Sequence, residues 1–101
     1  MKAKIGSMIL NKFEKYLIEQ GYSQVTPSGH PSTTYDYAKS RIPKICEKEK
    51  ISVEQLASNI KHYVEKYDDG GSESKFGKKS HNSFINALKR FEEFINFNKE
   101  S

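Results

Sequence analysis

Apolar side chains recur at three- and four-residue intervals along most of this chain, the spacing of one face of an α-helix. Leu10, Phe13 and Leu17 form the first stripe, widened by Ile9 and Tyr16, with Lys12, Glu14, Lys15 and Glu19 on the other side. The stripe predicts a helix over residues 7–20, starting near Ser7 and closed by Gly21 in a left-handed conformation. A second helix, over 32–49, opens at Ser32 and carries Tyr35, Ala38, Ile42 and Ile45 on one face. Pro43 interrupts it, because proline lacks the amide donor and clashes with the preceding turn, at about 3 kcal/mol in a helix interior. A kink or break is expected near Arg41 to Ile42, with a short helical piece continuing to Glu49.

The third helix, 52–67, has the strongest start signal. Ser52-Val53-Glu54-Gln55 is a capping box, and Ile51 with Leu56 supplies the hydrophobic staple. Leu56, Ile60, Tyr63, Val64 and Tyr67 continue the stripe until Asp68-Asp69-Gly70-Gly71 ends it. A fourth helix, 80–97, is capped by Ser80 and bears the densest apolar face: Phe84, Ala87, Leu88, Phe91, Phe94 and Ile95. It is the helix around which the others should pack. Gly, Pro and Ser mark loops at 22–31 and 68–79, and no segment alternates as a strand would. The expectation is a single all-α domain over residues 1–101, a compact bundle of four main helices whose second member is kinked or broken near Pro43.

Composition adds limits. Twelve aromatics, six Tyr and six Phe without Trp, provide core material in 101 residues. Cys46 is the sole cysteine, which excludes an internal disulfide and a thiolate metal cluster. Met8-Ile9-Leu10, the longest apolar run at the amino end, is too short for a signal peptide or membrane span, so a cytoplasmic location without membrane contact is expected. Seventeen Lys and Arg against thirteen Asp and Glu give +4, which favours acidic partners, nucleic acid first among them.

Catalysis finds no support. His30, His62 and His81 are scattered, none with a neighbour at metal-ligand spacing. The Asp68-Asp69-Gly70-Gly71 run lacks the ligand spacing of a calcium loop. Glu92-Glu93 and Glu47 with Glu49 read as solvated helix charges, and neither a Gly-rich phosphate loop nor a nucleophile motif occurs. An enzyme is not expected, and no cofactor or metal is implied.

Two basic, polar helix starts carry the functional signal. Lys75, Lys78 and Lys79 precede Ser80, His81, Asn82 and Ser83, where a helix amino terminus offers free amides and partial positive charge to a phosphate. His81 and Asn82 there could reach base edges in a major groove, and Lys89 and Arg90 extend the charge. The second helix offers Ser32, Thr33 and Thr34 hydroxyls, Tyr37 off the core stripe, and Lys39, Arg41 and Lys44. A shift of 49 positions lays this helix on the fourth: Tyr35 on Phe84, Ala38 on Ala87, Ile42 on Phe91, Ile45 on Phe94 and Arg41 on Arg90, the only two arginines.

Three stretches, LNKFEKYLIEQG (10–21), STTYDYAKSRIPKI (32–45) and SHNSFINALKRFEEF (80–94), resemble the core-binding, SAM-like amino-terminal domain of phage integrases and other tyrosine recombinases. That resemblance spans nearly the whole chain and implies a helical bundle that clamps duplex DNA, with the second and fourth helices facing the major groove. It points to Thr33, Thr34, Tyr37, Arg41 and Lys44 on one helix, and to Lys79, His81, Asn82, Lys89 and Arg90 on the other. The Arg, His-x-x-Arg and tyrosine nucleophile of the family's cutting domain have no counterpart after the closing helix, so strand cleavage is not expected of this polypeptide. A different class of reading is a protein-interaction module, such as a small phage or mobile-element regulator, for which exposure of Tyr22, Phe76 or Phe97 would speak.

Overall fold

A computed structural model describes residues 2–22 and 36–100, the side chains of residues 2–5, 80, 81 and 98–100 excepted. Its order is α1 (Lys2–Glu19), a π-helical turn (Asp36–Arg41), α2 (Ile42–Glu49), α3 (Val53–Ser58), α4 (Ile60–Tyr67), α5 (Ser74–Gly77) and α6 (Lys79–Glu100). No strand occurs among the described residues. The architecture is all-α, and the radius of gyration of 13.0 Å is that of a compactly folded chain of about 100 residues.

α1 begins at Lys2, five residues before the expected start, because nothing in its first turn breaks a helix and Gly6 is buried against Val53 of α3. It ends as expected. Gly21 has φ +98°, its amide donates to the Ile18 carbonyl, and the Tyr22 amide reaches the Leu17 carbonyl, so the two bonds of a Schellman motif close the helix. α2 closes the same way with Lys50 at φ 58°. The opening of the second helix at Ser32 lies outside the described residues, but its break falls where Pro43 demands it. Residues up to Arg41 follow a wider π-helical path, and a new α-helix begins at Ile42 with Pro43 in its first turn.

The capping box at Ser52 is complete: the Gln55 amide donates to Ser52 Oγ at 3.1 Å, and the Ser52 amide to Gln55 Oε1 at 2.8 Å. The expected continuous third helix is instead two. Asn59, at φ −123° and ψ 30°, donates its backbone and side-chain amides to the Gln55 carbonyl, and its own carbonyl accepts from Tyr63 to start α4. Asparagine competes with the helix for backbone groups in this way. The apolar stripe survives the break, with Leu56, Ile60, Val64 and Tyr67 all buried.

The stretch expected as a loop over 68–79 contains α5, a single turn. Gly77 makes it possible, since a Cβ there would sit 2.1 Å from the Tyr67 carbonyl oxygen; only glycine lets this turn press against the end of α4. α6 touches each of the other described elements, as its dense apolar face requires. Phe84, Ala87, Leu88, Phe91 and Phe94 are buried against Phe13 and Leu17 of α1, Ala38, Ile42 and Ile45, and Leu56 and Tyr67. Phe13 and Phe91 meet edge to face at 5.0 Å, a pairing favoured by the ring quadrupoles.

Candidate nucleic-acid interface

Phe76 of α5 and Phe84 of α6 lie 4.5 Å apart between ring centroids, and cations gather on this pair from two directions. From the second helix, Arg41 places its guanidinium carbon 4.9 Å above Phe84, and Lys48 its ammonium 5.0 Å above Phe76. From the start of α6, Lys79 holds its ammonium 5.2 Å from the same Phe76 ring. Lys44 falls between Arg41 and Lys48 on the same helical flank and is exposed; Lys75, exposed, stands one turn before Lys79. Asp36 pairs with Arg41 at 2.9 Å, and Glu73 lies 3.5 Å from Lys48. The ridge therefore carries Arg41, Lys44, Lys48, Lys75 and Lys79 against Asp36 and Glu73. Among the described residues Lys44, Lys75 and Lys79 have no ion-pair partner.

The remaining expected cations are placed differently. Lys78 pairs with Asp69 at 2.5 Å and Lys89 with Asp68 at 3.4 Å, so the acidic turn after α4 takes one lysine with each carboxylate. Asp68 is fixed for this: the Asp69 amide donates to its carboxylate at 2.8 Å, and that bond, helped by Lys89, holds its carboxyl below the ordinary range. Lys78 is held above its ordinary value by Asp69. Asn82 and Asn86 line the notch between these pairs. Asn82 itself breaks the right-handed path of α6, with φ 66°, a conformation asparagine accepts more readily than most residues.

Arg90 leans to the opposite edge of α6. Its guanidinium pairs with Glu93 at 2.6 Å and donates to the Tyr22 hydroxyl at 3.4 Å. Tyr37 is half-buried there, 6.5 Å from the Tyr22 ring and beside Asn86; burial, then the neighbouring Tyr22, raises its phenol. Tyr22, Tyr37, Asn86 and Arg90 thus tie the end of α1 and the π-turn to α6. The matched arginines of the 49-residue echo do not share a role: Arg41 faces the ridge, Arg90 the tie. Thr33 and Thr34 lie outside the described residues, and the His81 side chain outside the described side chains. Lys48 is the contributor that sequence reasoning missed, although its spacing from Lys44 and Arg41 places it on their flank.

Other groups are structural. Tyr67 is fully buried, and its hydroxyl donates to Glu49 Oε2 at 2.6 Å while Lys66 donates to Oε1 at 2.9 Å. Burial pushes Glu49 up, but the bonds from Tyr67 and Lys66 outweigh it and hold the carboxyl low. Cys46 is buried, which raises its thiol to about 11 and leaves it unreactive. Among the described residues no group of His, Cys, Asp and Glu is arranged to hold a metal, and no helix is long and apolar enough to cross a membrane. Neither a family model, nor a curated protein, nor a solved structure matches this chain.

Proposed function

We propose that this chain is a non-catalytic DNA-binding domain that grips the phosphates of duplex DNA with the ridge built on Phe76 and Phe84. The observation that carries this reading is the convergence of Arg41, Lys48 and Lys79 on one pair of rings. A ring attracts a cation through its quadrupole and carries no net charge, so Lys79 is positioned without being cancelled, while Asp36 and Glu73 partly offset Arg41 and Lys48. Lysines held this way meet a polyanion with part of their ordering already done, whereas a freely rotating lysine loses that entropy on binding. The reading agrees with what the resemblance to integrase core-binding domains implies, with the duplex held by the second and last helices. It shifts the contact toward Arg41, Lys44, Lys48, Lys75 and Lys79.

Binding through phosphates has a signature in salt. Removing one lysine–phosphate interaction should flatten the plot of log affinity against log salt by about 0.9. Lys48→Ala with Lys79→Ala is expected to weaken binding to random-sequence duplex several-fold and to reduce that slope, read by fluorescence anisotropy at two or more salt concentrations. Unchanged affinity would remove the ridge from the interface. Absence of any duplex binding by the natural chain at low salt would turn the reading to a protein-interaction module.

A further inference from the structure

A second group of rings leads from the core to the surface at the far end of α6. Phe13, Phe91 and Phe94 are mutually in contact and buried; Tyr16 continues the run at 5.5 Å from Phe94, and Phe97 ends it at 5.5 Å from Tyr16. Phe97 is 55% exposed, one of two large apolar side chains so open among the described residues. The hollow beside it is lined by Tyr16, Phe94 and Phe97 and rimmed by Lys12, Lys15 and Glu19. Lys12 and Lys15 are exposed and have no ion-pair partner among the described residues.

We propose that this hollow binds an unpaired nucleotide of single-stranded nucleic acid, its base stacking on Phe97 and its flanking phosphates meeting Lys12 and Lys15. Every base presents a π-face, and aromatic platforms edged by cations are how proteins hold single strands without reading sequence. Glu19 on the same rim repels a continuing phosphate track, which limits the site to one or two nucleotides. A protein partner fits the face less well. The other exposed apolar side chain, Met8, stands two turns along α1 with Lys12 between, so the apolar surface is not the contiguous patch that protein docking uses. The hollow lies about 20 Å along α6 from the ridge, given the helical rise per residue, so the two sites can fail separately.

The test is an anisotropy titration of labelled oligo(dT) and of random duplex at low salt. The natural chain is expected to bind oligo(dT). Phe97→Ala should weaken that binding by about fivefold or more, Phe97→Trp should preserve it, and duplex affinity should stay the same in both. Phe97 is largely in solvent, so neither change threatens the fold, and thermal melts check this. Lys12→Ala with Lys15→Ala should lower the salt dependence of oligo(dT) binding alone. The proposal is overturned by an oligo(dT) affinity that Phe97→Ala leaves unchanged, or by a Phe97→Leu variant as tight as the natural chain, since leucine supplies apolar contact without stacking. No oligo(dT) binding at low salt also overturns it and leaves the face to a protein partner, whatever the ridge does with duplex.

Discussion

The lysines near the start of α6 keep two kinds of company. On the ridge, Lys79 and Lys48 share the ring of Phe76, and the cations there outnumber Asp36 and Glu73. Across the helix, Lys78 and Lys89 are each matched by a carboxylate of a single turn, Asp69 and Asp68. Both arrangements order a long side chain. Only Lys79, held by the ring alone, keeps its field intact, since Lys48 also meets Glu73 at 3.5 Å. A surplus of four positive charges in the sequence therefore says less about a partner than the choice between ring and carboxylate at each lysine.

The largest test of this contrast is Phe76. Its replacement by alanine removes the ring under two lysines and the packing it gives both Tyr67 and Phe84. Stability should drop by about 3 kcal/mol, the low end for an aromatic truncation because Phe76 is only partly buried. Phe76→Leu separates packing from charge placement. It should cost less than about 1.5 kcal/mol yet bind duplex several-fold more weakly, because leucine has no quadrupole. A Leu variant that binds like the natural chain would show that the ring does not organise the ridge.

Next in size is Glu49, a carboxylate whose lysine partner serves the fold. Its pair with Lys66 also satisfies the buried Tyr67 hydroxyl, and hydrogen bonds to a charged group are worth about 1.5–3 kcal/mol. Since its folded-state carboxyl titrates below the unfolded value near 4.3, the stabilisation is complete above that value. It is lost as pH falls through the lower, folded-state value. Glu49→Gln should be less stable at neutral pH by about 1–2 kcal/mol and should show a shallower acid limb in urea melts between pH 5 and 2. An acid limb as steep as that of the natural chain would assign the pH dependence elsewhere.

The smallest effect is expected at the acidic turn. Asp68→Asn with Asp69→Asn frees Lys78 and Lys89 from exposed pairs that contribute little to stability. Duplex affinity should rise about threefold, more than with the charge-matched change Glu14→Gln with Glu54→Gln. Equal gains from both pairs would mean that net charge alone, not release of those two lysines, sets the affinity.

Much of the fold could be read from local chemistry. The capping box at Ser52, the glycine stop at Gly21 and the break ahead of Pro43 depend on neighbours in sequence, and each stands where expected. Elements made by distant contacts were not legible. α5 sits in a Gly-, Ser- and Lys-rich stretch and forms because Phe76 is drawn against Tyr67 and Phe84 while Gly77 admits the Tyr67 carbonyl. Asn59 splits a stripe whose period continues unbroken, so periodicity gave no sign of it. The basic character of two helix starts was visible, but which cations meet carboxylates was not, because Asp68, Asp69 and Glu93 choose their partners through tertiary proximity or side-chain direction.

The π-turn ahead of Pro43 sets the phase between two functions of one helix. A π-turn holds one residue more than the α-helical turn it replaces, so the six residues Asp36–Arg41 turn the upstream side chains relative to Ile42. Deleting one residue there would let the segment close as an ordinary α-helical turn, with Tyr37 still beside Asn86 and the buried Ala38 still in the core. A bulky side chain in place of the buried Ala38 is what this segment resists, more than the loss of one residue. Identity, more than length, is what this stretch must keep.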